Sequence, residues 1–321
     1  MASSEKELAA LKEGKGLITC YDTSRDNMPY SLLETTLNTR DLGGYRIDGT
    51  DRLTKYGRVI RSDVANYPSE KDIKFLKDNG ITTIIDMRNS EEKERKPHGL
   101  ANLEGFDYHD IPIEEGSGIP ESVEAVPDSY DKIAHSENLA KVFKTIANAK
   151  TNVMFNCSAG KDRSGVTSAL LLWLCGVRKS DIVYDYMRTK LNNEERFKQI
   201  HENFPEIDMN IVIPNENNMY RFFELIEESH GTVQALFEAI GIDAELLQDL
   251  RNEAGEPGFI DPVAEEGRKH QYDADRDRRI QVLHDQVDDK RDQSSDAHQN
   301  AERDKGGTVD HIRDLLQEIV H

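Results

Sequence analysis

The chain is short of several things. It has three cysteines in 321 residues, Cys20, Cys157 and Cys175. So odd and sparse a set builds no disulfide framework and points to a reducing compartment, where a reactive thiolate also survives best. No apolar run approaches the roughly 18 residues that span a bilayer, so no transmembrane segment is expected. Met1 to Gly16 is charged and lacks the apolar core of a signal peptide, which makes the cytoplasm the expected location. Basic charge is in deficit: 41 Lys and Arg stand against 61 Asp and Glu, for a net charge of −20. Nucleic acid needs a basic surface, so it is excluded as a bulk partner. There is no internal repeat.

What the chain does have is one stretch, Val153 to Val166, that starts as an apolar run, breaks into small residues and resumes as an apolar helix expected over Val166 to Cys175. A loop curling from a strand end into a helix start turns backbone N–H groups inward, and the helix dipole adds positive potential. In so acidic a chain such a local pocket is what an anion requires. Cys157 at its base can ionise in that field and act as a nucleophile. Arg163 can grip two oxygens of a phosphoryl group at once. Gly160 permits a backbone turn that a Cβ would obstruct.

Around this stretch strands and helices alternate. Lys55 to Asp63 reads as a short strand ending in a polar loop. Ser69 with Asp72 three residues on reads as a helix start, and the helix closes at Gly80. Ile81 to Arg88 is β-branched and apolar, a buried parallel strand. Tyr108 to Ile113 is a further strand closed by Pro112, and Glu114 to Pro127 is a loop. Tyr130 to Ala149 has the period of one helix, with Ile133, Leu139, Val142, Phe143 and Ile146 facing the core. After Gly176 the chain turns helical, with Ile182, Tyr186 and Met187 on one face and Arg196 to Phe204 continuing the pattern; further helices are expected over Tyr220 to Ser229, Val233 to Ala239 and Ala244 to Arg251, with a loop over Ile211 to Asn218. The pattern implies an α/β fold with a central, mostly parallel sheet flanked by helices.

Three segments are expected: a flexible arm over residues 1–20, a folded domain over 21–255 and a charged acidic tail over 256–321. The last 66 residues hold 27 charged side chains, 17 of them acidic. That tail reads as disordered or as a solvated helix. Ile312, Leu315, Leu316 and Ile319 form an amphipathic end that is either a marginal helix or a partner-docking one.

Four stretches together resemble a known family. Cys157 to Gly165 (Cys-Ser-Ala-Gly-Lys-Asp-Arg-Ser-Gly) resembles the signature loop of the protein-tyrosine-phosphatase superfamily. Its Gly-Lys-Asp-Arg-Ser-Gly form is similar to that of the atypical tyrosine/serine and phosphoinositide phosphatases of bacteria and fungi. Asn38 to Tyr45, Arg61-Ser62-Asp63 with Ile84 to Arg88, and Gly231 to Arg251 resemble that branch in the same order. The resemblance spans about Asn38 to Glu253. At one position the chain departs. Where the family usually places His before the nucleophile, it carries Asn156, which donates and accepts hydrogen bonds but has no charge.

The resemblance implies a tyrosine-phosphatase-like fold and metal-independent hydrolysis of phosphomonoesters, with no cofactor. Cys157 attacks phosphorus to form a cysteinyl-phosphate, and Arg163 stabilises the transition state. Ser164 hydrogen-bonds the Cys157 sulfur or makes a local cap. Ser158, Ala159 and Gly160 line the phosphate site. Lys161 reaches a second anionic group or is a solvated loop residue. Asp162, inside the loop, is the favoured general acid. Asp128, 29 residues before Cys157, is its rival and otherwise an N-cap. Asp110 is a weaker third. Arg40 and Asp41 line the site or form a structural ion pair. Asp86 and Arg88, at a strand's C-terminal end, orient Arg163 or serve the scaffold. The expected substrate is a phosphorylated protein, on phosphotyrosine, with phosphoserine, phosphothreonine or phosphoinositides as a wider range. The alternative is a catalytically dead module that binds phosphorylated ligands. A rhodanese-type sulfur transferase lacks the Arg-Ser ending, and a Walker nucleotide loop has different glycine and Lys-Ser/Thr spacing.

Overall fold

The computed structural model describes residues 31–254. The expected N-terminal arm, Cys20, the acidic tail and its terminal amphipathic stretch lie outside the described residues. Five strands form one sheet: β1 (Arg40–Asp41), β2 (Val59–Ser62), β3 (Ile81–Asp86), β4 (Asp107–Asp110) and β5 (Asn152–Asn156). Their spatial order is β1-β2-β5-β3-β4. Strand β1 runs antiparallel to β2, and every other pairing is parallel. The fold is α/β, with a central, mostly parallel sheet flanked by helices.

The alternation of side chains along the strands builds two cores. Val59, Ile85, Val153 and Phe155 face the larger one, and Ile60, Ile84 and Met154 the smaller. Successive Cβ atoms point to opposite faces, so each apolar strand serves both layers. On the smaller side Leu33, Leu76 and Leu100 close the sheet. Leu76 belongs to helix α1 (Glu70–Asp78), capped by Ser69 and Asp72 in a reciprocal capping box. Helix α2 (Ser90–Arg95) follows β3 and is capped the same way by Asn89 and Glu92.

The larger face carries α3 (Val126–Ala134), α4 (Glu137–Asn148), α5 (Asp162–Leu174) and α6 (Lys179–Asn192); after α7 (Glu194–Asn203), which packs into neither core, it takes α8 (Met209–Val212), α9 (Glu216–His230), α10 (Val233–Ala239) and α11 (Ala244–Ala254). Helix α5 is the central one, with Val166, Ala169, Leu170 and Leu171 all buried. Cys175, which caps its end, is a buried free thiol. Burial pushes that thiol up to about 12, so it packs as an inert core residue.

Sequence periodicity misplaced three boundaries. The single helix expected over Tyr130 to Ala149 is two helices. Ser136 is extended between them, caps α4 through the Asn138 N–H at 3.2 Å and donates to Glu115 at 2.7 Å. The first of the two starts earlier, at Val126, with Pro127 in its opening turn. Helix α5 begins at Asp162 rather than Val166. Gly160, at φ +67°, turns the chain so sharply that Asp162, Arg163 and Ser164 form the first helical turn. Finally, the loop expected over Ile211 to Asn218 contains the end of α8 and the start of α9.

Asp72 ties α1 to the segment before β1. Its carboxylate accepts the N–H groups of Glu34 at 2.7 Å, Thr35 at 3.2 Å and Ser69 at 3.3 Å, and also the Thr35 hydroxyl. Asp72→Ala orphans these donors, and urea unfolding is expected to show a loss of about 3 kcal/mol.

Candidate active site

Strand β5 ends at Asn156, between the ends of β2 and β3, and Cys157 follows directly. This is the C-terminal edge of the parallel strands, where open α/β sheets place their ligands. Cys157 is a buried free thiol. The next three carbonyls are all held from outside. Ser158 O accepts from Arg196 Nη1 at 3.3 Å and the Val64 N–H at 3.4 Å. Ala159 O accepts from Asn38 Nδ2 at 3.1 Å and Asn193 Nδ2 at 2.9 Å. Gly160 O accepts from Asn38 Nδ2 at 3.0 Å and Arg61 Nη2 at 2.7 Å. In a trans peptide the C=O and the following N–H point in opposite directions. Carbonyls drawn outward therefore turn the N–H groups of Ala159, Gly160 and Lys161 inward, forming an anion nest at the start of α5. A Cβ at Gly160 would sit 2.8 Å from both Asn38 Nδ2 and Asp63 N, so only glycine closes this turn.

Arg163 lies in the first turn of α5, buried against the loop. Glu92 grips it at two points, Nη1 to Oε2 at 2.7 Å and Nη2 to Oε1 at 2.6 Å, and Nη1 also donates to Met87 O at 3.2 Å. The Ser158 hydroxyl donates to the same Glu92 carboxylate. Burial opposes the Arg163 charge, yet the bonds and charge of Glu92, then the charges of Cys157 and Asp162, hold its pKa above the ordinary value. These contacts use three of its five N–H groups, leaving Nε–H and one Nη2 N–H without a partner among the described residues.

Asp162 opens α5 with a side chain 32% exposed, enough to meet a ligand. Tyr130 donates to its Oδ1 at 2.9 Å, and the Tyr130 oxygen lies 2.6 Å from that of Tyr186. Since the Tyr130 proton goes to Asp162, Tyr186 is the donor in that second bond. The Lys161 ammonium is 3.4 Å from the same oxygen. It is not a solvated loop group: buried, it donates to Val212 O at 2.7 Å and Ile211 O at 3.4 Å, tying the loop to the end of α8. Ser164 Oγ donates to Ser62 O at 3.3 Å, locking the helix start to β2.

Arg40 and Asp41 do not pair with each other. Arg40 Nε donates to Asp185 Oδ1 at 2.7 Å, and its Nη1 holds the Asn38 side chain. Asp185 also binds Arg61 Nη1 and accepts from Tyr45 OH at 3.1 Å. Burial alone would raise the Asp185 pKa, but the two guanidinium groups hold it well below the carboxylate range. This buried cluster carries Asn38 and Arg61, the two side chains that pull on Gly160. Asp41 faces away from it, accepting the N–H groups of Gly43 at 2.8 Å and Gly57 at 2.6 Å.

A second network lies behind Asn156. Its Nδ2 donates to Asp86 Oδ1 at 3.1 Å, and its Oδ1 lies 3.2 Å from His98 Nε2. His98 Nδ1 accepts the Leu100 N–H at 3.1 Å, which places the ring proton on Nε2 and makes His98 the donor to Asn156. Burial above all, with the Arg88 charge assisting, lowers the His98 pKa to about 4, so the ring is neutral at pH 7. Asp86 binds Arg88 through Nε at 3.0 Å and Nη2 at 2.7 Å, and accepts from Tyr108 OH at 2.8 Å. Arg88 Nη1 reaches the carbonyls of Lys96 and Glu92, so the pair bears on Arg163 through the backbone of α2.

The remaining acids lie elsewhere. Asp128 is not an N-cap but an exposed residue in the first turn of α3, with no partner on the loop among the described residues. Asp110 is paired with Lys93 at the sheet edge. Sequence reasoning missed Glu92, His98, Tyr130, Asp185, Asn193 and Arg196. Glu92 lies 71 residues from Arg163 and reads locally as a helix-capping Glu, which it also is. Asn38 and Arg61 fell within stretches already singled out, so for them a signal existed.

Residues 32–255 match the model of a family described as the tyrosine phosphatase family. Among curated proteins, the chain is 30% identical over 177 residues to a Cupriavidus necator protein named "Putative tyrosine-protein phosphatase", covering 50% of this chain and 63% of that protein. It is 35% identical over 116 residues to a Nostoc commune protein named "Tyrosine-protein phosphatase", covering 33% of this chain and 40% of that one. The chain thus spans less than two thirds of the length of either relative.

Asp185→Asn strips the charge that neutralises Arg40 and Arg61. Urea unfolding is expected to show a loss of about 3–5 kcal/mol, the usual result of breaking a buried pair. His98 makes an acid-side prediction. Its folded pKa of about 4 lies below the ordinary 6.5, so as pH falls the unfolded chain takes the proton first. Its contribution is full above pH 6.5 and is lost as pH falls toward 4. The stability difference between wild type and His98→Gln should narrow across that window, followed by thermal unfolding at each pH.

Proposed function

The chain belongs to the tyrosine phosphatase family, and from that membership we propose that it hydrolyses phosphomonoesters through a cysteinyl-phosphate on Cys157. One observation carries the proposal: three loop carbonyls around Cys157 are held outward while Glu92 fixes Arg163 with two N–H groups to spare. An inward nest of N–H groups and an oriented guanidinium match the three equatorial oxygens of a transferring phosphoryl group.

Cys157 Sγ attacks phosphorus and the ester P–O bond breaks. Asp162 gives a proton to the departing oxygen. Its Oδ1 is engaged by Tyr130 and Lys161, so Oδ2 is the oxygen that carries this proton. In the second step water attacks the cysteinyl-phosphate, Asp162 Oδ2 takes a proton from it, and the S–P bond breaks to release phosphate and the thiolate. Ser164, bonded to Ser62 O in the free enzyme, sits one helical residue beyond Arg163. There it can turn to support the leaving sulfur. No step calls on a metal. The substrate we infer is phosphotyrosine in a protein. The Gly-Lys-Asp-Arg-Ser-Gly loop supports a place in the atypical branch, and with it a wider range of phosphoserine, phosphothreonine and phosphoinositides. A reducing, cytoplasmic setting suits the free Cys157 thiol.

The competing reading is a binding module without turnover. Asn156 favours it, because the group behind the nucleophile is a neutral amide. Wild type is expected to turn over p-nitrophenyl phosphate in EDTA, with no turnover by Cys157→Ser. If neither turns over and both bind a phosphotyrosyl peptide, the chain is a binding module. On a phosphotyrosyl peptide, whose leaving group needs the proton, Asp162→Asn should lower kcat by about 10²–10⁴. Asp128→Asn should stay near wild type, and the reverse result would assign the acid to Asp128.

A further inference from the structure

A loop lysine is an obvious partner for a second anionic group on a substrate, but Lys161 spends its ammonium on the carbonyls of Ile211 and Val212. Two other cations belong to the elements that hold the loop. Arg196, half-buried in the first turn of α7, reaches Ser158 O with Nη1 at 3.3 Å. Lys96 caps the end of α2, the helix whose Glu92 holds both Arg163 and Ser158. Its backbone is pinned on both sides, the N–H on Glu92 O at 3.0 Å and the carbonyl by Arg88 Nη1 at 2.6 Å. Arg196 thus touches the loop at Ser158, and Lys96 stands one helical turn beyond Glu92, the residue that holds Ser158 from α2.

Neither cation forms an ion pair among the described residues. Arg88 is committed to Asp86. The Arg196 charge bears on Asp63, whose two oxygens accept the Leu37 and Asn38 N–H groups. Lys96 is half-buried, and the charges acting on it most are Arg196, Arg88 and Arg95, all positive. Burial first, and then these three cations, lower its pKa. A chain of net charge −20 has no shortage of carboxylates, yet it leaves like charges together here. Such a cluster is unfavourable in the free protein and is relieved when an anion binds.

We propose that Lys96 and Arg196 form a subsite for a second anionic group, and that it selects phosphotyrosyl segments with an acidic side chain beside the phosphotyrosine. The proposal rests on the Cys157 loop being the phosphate site. Two side chains suit one carboxylate, and the strongly acidic chain would be repelled by an anionic membrane.

The test uses full-length Cys157→Ser, so that binding is read without turnover. Fluorescence anisotropy at low salt compares a phosphotyrosyl peptide flanked by Glu with one flanked by Gln. The Glu peptide is expected to bind about fivefold more tightly, an advantage that fades with added salt. Lys96→Gln and Arg196→Gln, each made in that background, should bring the ratio of the two affinities toward one. A ratio near one in the parent protein overturns the subsite while leaving the hydrolase proposal intact. If wild type turns over no phosphomonoester but the ratio persists, the hydrolase proposal fails and the subsite stands. Absence of binding to either peptide overturns the subsite and the phosphotyrosyl substrate, while p-nitrophenyl phosphate turnover still decides the hydrolase proposal. A ratio near one, together with binding to phosphoinositide-containing vesicles that Lys96→Gln abolishes, also overturns the peptide subsite and reassigns the cations to a lipid head group.

Discussion

A peptide carbonyl pointing one way sends the next N–H the other way, and the site depends on that constraint. The loop after Cys157 is too short and too irregular to hydrogen-bond itself. Its carbonyls are instead held by Arg196, Asn193, Asn38 and Arg61, which come from α7, the junction between α6 and α7, the segment before β1, and β2. Chain segments far apart in sequence therefore share one task, to hold the loop's carbonyls outward and its N–H groups inward. Catalysis by preorganised donors requires this, because donors that must reorganise during reaction contribute less.

The burial of so much charge around the loop follows from the same need. Arg40, Arg61 and Asp185 lie at or below 1% exposure, as do Asp86 and Arg88. Buried pairs of this kind add little net stability over an apolar core. What they supply is direction: a bidentate guanidinium fixes an angle as well as a distance. Arg61 shows the division of labour, with one nitrogen on Asp185 and another on Gly160 O. Glu92 does the same for the reacting side of the site, joining Arg163, Ser158 and the first turn of α2 in one carboxylate.

Asn156 gains a physical meaning from its neighbours. Beside Cys157 a charged imidazole would add potential; here a neutral imidazole stands one residue further back, as His98, and acts through the amide. The amide passes that bond on to Asp86, which Arg88 holds ionised. The position before Cys157 is thus part of a rigid hydrogen-bonded chain and carries no charge of its own.

Local sequence was enough for whatever is decided over a few residues. The alternating Val, Ile and Phe residues determined the strands and their two faces, Ser69 and Asp72 determined a helix start, and the Cys157 to Gly165 spacing marked the loop with its Cys, Gly and Arg. Helix boundaries were less legible, because Ser136 and Gly160 redirect the chain through contacts with Glu115, Asn38 and Asp63 that no periodicity records. Partner identity was least legible of all. Arg40 pairs with Asp185, 145 residues away, and not with the adjacent Asp41; Lys161 turns inward to α8; Glu92 meets Arg163 across 71 residues. Charge pairing acts through space and is indifferent to sequence distance. The sequence therefore determined which residues gather in the Cys157 loop, and only the tertiary structure decided which charges orient them, because those partners meet through space.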